Sequence, residues 1–278
     1  SDACDDIISR VCEPLAVEPI QDKYPVKYDE SMNTVLVQEV IRYNRLLAVV
    51  HSSIEQLRLS IKGIIVASTE LEEVANSIFM NCVPDQWAAK GYVSLKPLAA
   101  WNTDLERRMH FVCSWIENGA PSIFWFPGFF FPQAFLTGTR QNFARKNSFP
   151  IDTVDFEFIV RDELSIDNVT AKPDSGCLIH GLFIEGGTWD SDRHLLAECK
   201  PKVLFSDFPI ILFKPVQFRV APKTGIYHCP IYKVLSRAGA LSTSGHSTNF
   251  IIDGEVPTDM PERLWITRSV ALFTQLRY

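Results

Sequence analysis

Apolar residues recur along the first half of the chain with the spacing of a helix. Leu36, Val40, Tyr43, Leu47, Val50, Ile54, Leu57 and Ile61 follow one another in steps of four and three, a stripe that lets a helix lie along a long partner. The stripe predicts one amphipathic helix over residues 31–62, stopped by Gly63. At 1.5 Å per residue it is about 45 Å long, more than a compact half of this chain is expected to cover, so part of it should meet another domain. Thr69 and Glu72 read as a capping box opening a second helix with Leu71, Val74, Ala75, Ile78 and Phe79, ended by Pro84. A third helix begins near Pro97, carries Leu98, Trp101, Leu105, Met109, Val112 and Ile116 on one side and stops at Asn118–Gly119. A fourth runs from Pro132 to about Lys146. Before all of these, Pro14, Pro19 and Pro25 mark residues 1–30 as an extended lead-in with one short helix near 7–12.

The period changes after Pro150. Val154, Phe156, Phe158 and Val160 alternate with Asp155, Glu157 and Arg161, the signature of a strand with one wet face. Further strands are predicted at 177–185, 203–213, 225–234, 247–253 and 264–273, divided by turn formers such as Gly186–Gly187 and Asp253–Gly254. No helical pattern intervenes. The expectation is an α+β fold: a lead-in (1–30), a helical subdomain (31–149) and a roughly six-stranded antiparallel β-barrel (150–278). No internal repeat is apparent.

Composition narrows the function. With 46% apolar and 22% charged residues the chain buries a substantial core, and its net charge of −6 argues against phosphate-backbone binding. The seven cysteines are scattered without a CxxC pair, which reads as reduced thiols in a cytosolic compartment rather than a disulfide framework or zinc site. The most apolar run, residues 123–132, is too short to span a bilayer and is broken by Pro127 and Gly128. No signal segment is visible. Beginning at Ser1, the chain is expected to be a fragment or processed product.

Candidate chemistry is thin. Neither Gly138-Thr139-Arg140 nor Lys223-Thr224-Gly225 has the glycine spacing of a phosphate loop. Ser242, Ser244 and His246, with Asp253, allow a Ser/His hydrolase to be imagined, but no GxSxG elbow is present and a hydrogen-bonded loop before a strand is simpler. His180, His194, His228 and His246 with Cys177, Cys199 and Cys229 lack short ligand spacings. Neighbours such as His228 and Cys229 must also face opposite sides of a strand. Glu185, Asp190 and Asp192 read as a charged turn before a glycosidase pair. Arg140, Arg145 and Lys146 suit a helix C-terminus or salt bridges to an acidic neighbour. The aromatic run around Phe124–Phe131 reads as packing before a ligand platform. No catalytic, cofactor or metal residue is assigned, and a small-ligand-binding barrel remains the other open reading.

Several segments are less ordinary than packing requires. They are residues 30–36, 41–46, Trp87 with 94–98, and 128–146 (GFFFPQAFLTGTRQNFARK), followed by 179–186, 229–233, 241–249 (LSTSGHSTN) and 256–258. In this order they resemble the C-terminal region of dynein heavy chains, over about residues 20–278. Ala238-Gly239-Ala240 and Arg277-Tyr278 depart from the family's basic-glycine-threonine stretch and acidic ending. The helical half is more similar to axonemal members, and among them to the inner-arm type. The resemblance implies a non-catalytic cap on the motor's ring of six AAA+ modules, following the sixth, with the long helix and barrel packed across neighbouring modules. It places the ATP sites, microtubule-binding stalk and linker in other parts of the heavy chain. It also implies partners in the AAA+ modules in cis and the rest of the axonemal dynein complex, no cofactor, no nucleic acid or membrane, and a location in the cytoplasm and cytoskeleton, at the axoneme of a cilium or flagellum.

Overall fold

A computed structural model of the protein describes residues 2–220, 222, 224–240 and 247–278. They form two compact units, one of Ser1–Val26, Asn33–Gly119 and Arg277–Tyr278, the other of Lys27–Met32 and Ala120–Leu276. These are drawn differently from the helical and strand-forming portions, because the aromatic run and the helix after it belong with the sheets.

The first unit is helical: α1 (Asp2–Arg10), α2 (Val17–Lys23), α3 (Ser31–Ile61), α4 (Thr69–Phe79), α5 (Asp85–Lys90) and α6 (Leu98–Asn118). The predicted stripe is the buried face of α3, with Leu36, Val40, Tyr43, Leu47, Val50 and Ile54 at 0% exposure and Leu57 at 7%. Its last predicted member, Ile61, is 57% exposed, so the end of the helix is left uncovered, in keeping with the expectation that part of it meets another domain. Cover comes partly from the N-terminal residues, which are two helices rather than an extended lead-in. Cys4, Ile7 and Ile20 are buried. Leu15 exchanges backbone hydrogen bonds with the Asn44 amide at 2.8 and 2.7 Å. His51 Nε2 lies 2.9 Å from the Cys12 carbonyl, and Arg58 pairs with Asp5 at 2.9 Å.

Helix ends follow their local chemistry. Gly63, at φ 72°, ends α3 in a Schellman motif: Ile64 N–H donates to Leu59 O at 3.0 Å and Gly63 N–H to Ser60 O at 2.9 Å. The cap of α4 is Ser68, not Thr69. Ser68 has the extended φ/ψ of a cap and its Oγ accepts from Leu71 N–H at 3.3 Å, whereas Thr69 is already helical.

The centre of this unit holds a charge. Arg108, whose side chain is 1% exposed, pairs with Asp104 one turn earlier on α6 at 2.6 Å. Its guanidinium lies 3.8 Å from the centroid of the Tyr92 ring. Tyr92 stacks on Trp101 at 5.9 Å, Trp101 meets Trp87 at 5.8 Å, and Trp87 Nε1 donates to Ser53 Oγ of α3 at 2.8 Å. Burial alone would lower the pKa of Arg108, but the Tyr43, Asp104 and Tyr92 groups around it outweigh that and hold it above the ordinary value.

The second unit carries β1 (Ile123–Trp125), α7 (Pro132–Lys146), β2 (Val154–Arg161), β3 (Cys177–His180), β4 (Phe183–Glu185), β5 (Thr188–Asp190), β6 (Leu195–Ala197), β7 (Phe205–Asp207), β8 (Ile210–Gln217), β9 (Ile226–Tyr232), β10 (Phe250–Pro257), α8 (Glu262–Thr267) and β11 (Ala271–Phe273). They make a four-stranded sheet ordered β1-β3-β8-β2, a five-stranded sheet ordered β10-β9-β11-β4-β7 and the hairpin β5-β6. Among the described residues each of the two larger sheets keeps two edges, so neither closes into the expected barrel. Two pairings, β1 with β3 and β11 with β9, are parallel, which the antiparallel expectation did not include.

The six predicted strands became eleven for local reasons. Gly181, at φ 92°, divides 177–185 into β3 and β4, and a Cβ there would lie 2.8 Å from the Trp125 ring. Residues 203–213 divide before Pro209 into β7 and β8, and 264–273 divides into the end of α8 and β11. In β2 the alternation holds: Val154, Phe156 and Phe158 are buried. No helix among the described residues is long and apolar enough to cross a membrane.

Because removing one member of a buried ion pair strands the other, Asp104→Ala is expected to cost about 3–5 kcal/mol in thermal or urea unfolding. The joint replacement Asp104→Leu with Arg108→Met should recover most of that loss.

Candidate functional site

The aromatic run is a packed wedge inside the second unit. Phe129 stacks on Phe135 of α7 at 4.3 Å, Phe124 meets Phe135 at 4.8 Å, and Phe126 reaches Phe213 of β8 at 6.3 Å. Pro132 starts α7, where its missing N–H costs nothing. The wedge orients α7, and a cleft opens on each side of that helix.

The first cleft, about 560 Å³, lies between α7 and residues 29–32, 120–124 and 172–177. Phe124, Phe135, Phe143 and Met32 supply apolar lining, and Lys146 and Lys172 supply cations. Its polar lining is largely occupied. Glu30 accepts from Asn142 Nδ2 at 3.0 Å and Met32 N–H at 3.1 Å, and Asn142 Oδ1 accepts from Ser31 N–H at 2.7 Å. Arg145 donates to Ser31 Oγ at 3.0 Å and lies over the Tyr28 ring at 4.5 Å. Cys177 also lines the cleft. Burial pushes its thiol up to about 12 despite a 3.7 Å contact from Thr139 Oγ1. Ser175 Oγ is buried without a hydrogen-bond partner.

The second cleft, about 490 Å³, lies against the other face of α7, with Gln133, Leu136 and Arg140 facing residues of β2, β8 and β10. Arg219 is paired with Glu255, and Gln133 Nε2 donates to the Phe250 carbonyl at 2.9 Å. Arg140 Nε is buried there without a partner. Both clefts combine residues far apart in sequence and neither was anticipated. Their nearest sequence signal was the cationic end of α7.

Residues considered from sequence fall in separate places. Ser242, Ser244 and His246 lie outside the described residues, and Asp253 is exposed on β10. On β9, His228 points outward and Cys229 inward, as strand parity requires. Cys199 Sγ donates to Gly187 O at 3.1 Å. Among the described residues no group of three or more His, Cys, Asp or Glu is placed to hold a metal ion. Glu185 pairs with Arg237, while Asp190 accepts from the backbone of Asp192 and Arg193, closing the β5–β6 turn.

His194 and His228 are each backed by a carboxylate. His194 Nδ1 lies 2.8 Å from Asp162, which also accepts from Trp189 Nε1 at 2.8 Å. His228 Nδ1 lies 2.8 Å from Glu262. Burial alone would raise the Asp162 carboxyl, but the hydrogen bonds from Trp189 and His194 win and lower it. Hydrogen bonds from His228 lower Glu262. Each pair anchors a turn or a short helix. Among the described residues neither imidazole is hydrogen-bonded to a hydroxyl or thiol that it would activate.

Comparison with known proteins gives a consistent likeness. A family model described as the C-terminal domain of the dynein heavy chain matches residues 1–274. The sequence is 51% identical over 277 residues to dynein axonemal heavy chain 1 of Homo sapiens, covering all of this chain and 6% of that protein. It is 47% identical over 272 residues to dynein axonemal heavy chain 3 of Mus musculus, covering 98% of this chain and 7% of that protein. Against dynein axonemal heavy chain 12 of Homo sapiens it is 45% identical over 271 residues, covering 98% and 9%. The chain thus spans less than a tenth of each of these relatives.

Two outcomes follow from the protonation states. The folded Asp162 carboxyl lies below its unfolded value of about 3.9, so its contribution is present above that pH and is lost as pH falls through the folded value. Asp162→Asn should therefore flatten the acid limb of the stability profile, read by tryptophan fluorescence, and lower stability at neutral pH. Alkylation at neutral pH should modify exposed Cys82 first and reach buried Cys177 and Cys229 only on unfolding.

Proposed function

The chain belongs to the family of C-terminal domains of dynein heavy chains, and from that premise we propose that it is the non-catalytic cap of an axonemal dynein motor. In this reading it packs on the AAA+ modules of its own heavy chain, stabilises their ring and modulates microtubule-based motility in the cytoskeleton of a cilium or flagellum. Nucleotide hydrolysis belongs to parts of the heavy chain outside this segment, and the wider partner is the rest of the axonemal dynein complex. The observation that carries the reading is the extent of the likeness: half the residues are identical to an axonemal heavy chain across all 277 matched positions.

The geometry supports a binding role over a catalytic one. The carboxylates and imidazoles described above hold turns and helix ends, and Cys177 stays protonated at neutral pH. A cap of this kind influences a motor only by contacting different states of the ring unequally. Removing it from the intact heavy chain is expected to change microtubule-stimulated ATPase rate and gliding velocity by about fivefold or more, the lower end of ordinary coupling between sites. Unchanged rate, force and stepping would defeat the regulatory part of the proposal, and an unchanged melting temperature of the motor would defeat the stabilising part.

A further inference from the structure

The stripe of α3 is buried as far as Leu57, and the apolar character then comes to the surface all at once. Ile61 is 57% exposed, Ile64 64%, Ile65 37% and Val66 94%. Four aliphatic side chains lie within six residues, Ile61 before Lys62 and the other three in the uncharged run from Gly63 to Ala67. An exposed apolar cluster of this kind marks an interaction site in a globular protein. It is also held in place. The two hydrogen bonds of the Schellman motif fix Gly63 and Ile64, and Ser68 caps α4 immediately beyond. The backbone is thus fixed at both ends of the tip, which lowers the ordering entropy lost on docking.

We propose that this α3–α4 tip is the point at which the domain docks into an apolar pocket on the remainder of its own heavy chain. The inference rests on reading the protein as one segment of such a heavy chain, and it names which surface makes the contact. The size of the patch selects the occupant. Four aliphatic residues fall well short of the roughly 800 Å² per partner of a stable bimolecular interface, so a second copy of the domain is a poor match. A pocket in the same polypeptide needs less area, because the tether supplies a high effective concentration. The relatives leave ample sequence for such a pocket, since this segment covers only 6% of heavy chain 1. The absence of charge from Gly63 to Ala67 calls for a pocket lined by apolar side chains, with Lys62 and Glu70 at its rim.

The test uses the intact heavy chain with Val66→Cys, labelled with a maleimide under native conditions and read by peptide mass spectrometry. Val26→Cys and Phe218→Cys, at positions 83% and 71% exposed, serve as comparators. Val66→Cys is expected to react about tenfold or more slowly than Val26→Cys, the scale of protection that a closed contact confers. Adding Ile64→Asp should restore fast labelling, with continued protection of buried Cys229 showing that the fold is intact. Fast labelling at Val66→Cys with slow labelling at a comparator would overturn the tip while leaving the cap reading in place. Fast labelling at all three positions would remove the cap reading as well. Protection that disappears on tenfold dilution would mean a second copy is the occupant and would also overturn the proposal.

Discussion

A guanidinium placed at 1% exposure is the constraint around which the first unit is arranged. An ion taken from water at that depth is tolerated only if it is paired and its surroundings favour the charged form. Asp104 supplies the counter-charge one helical turn away, and the Tyr92 ring supplies a negative face at 3.8 Å. Tyr92 must then be held, and Trp101 and Trp87 hold it in a stack that ends in the hydrogen bond to Ser53. That series of contacts ties α6 to α5 and α5 to α3. The short helix α5, which has little propensity of its own at six residues, exists where it does because Trp87 is 0% exposed.

The parts of the fold legible in sequence are those whose signal repeats within one element. Helices α3 and α6 each show three or more apolar turns, α7 opens on Pro132, and β2 shows a clean alternation. The parts that were missed depend on partners far away. Pro19 made the N-terminus look extended, yet it occupies the first turn of α2, where a missing N–H is harmless. Strands β1, β5 and β6 have three residues each, too few to show a period. The segment 264–273 looked like one strand because Trp265, Ile266 and Leu272 are apolar. Trp265 instead belongs to α8 and donates to Thr258 Oγ1 at 2.9 Å. Whether a sheet closes is decided by which edges meet, and no local pattern encodes that.

The clefts were hidden for a related reason. Glu30 and Asn142 are separated by 112 positions, and Gln133 reaches Phe250 across 117. What sequence did carry was the one-dimensional record of ancestry. The segments that looked unusual include Phe129 and Phe135 at the centre of the aromatic wedge, and Ser31 and Asn142, which bond to each other. In this structure those residues make contacts that are specific in shape and hydrogen bonding.

A regulatory cap needs contacts of modest strength. Coupling between sites in a protein is typically about 1–3 kcal/mol, and full burial of one aliphatic side chain contributes about 1.5–3 kcal/mol. On the cap reading proposed above, a tip of four partly exposed aliphatics is on the right scale to favour one ring state over another. Exposing the full α3 stripe would have been a different device, with seven large side chains enough to lock the domain in a single arrangement. With the stripe buried as far as Leu57 and only the end of the helix apolar at the surface, the folding energy of the domain is separate from the docking energy of the proposed contact. The two can then change independently, which is the physical requirement that the proposed cap role sets.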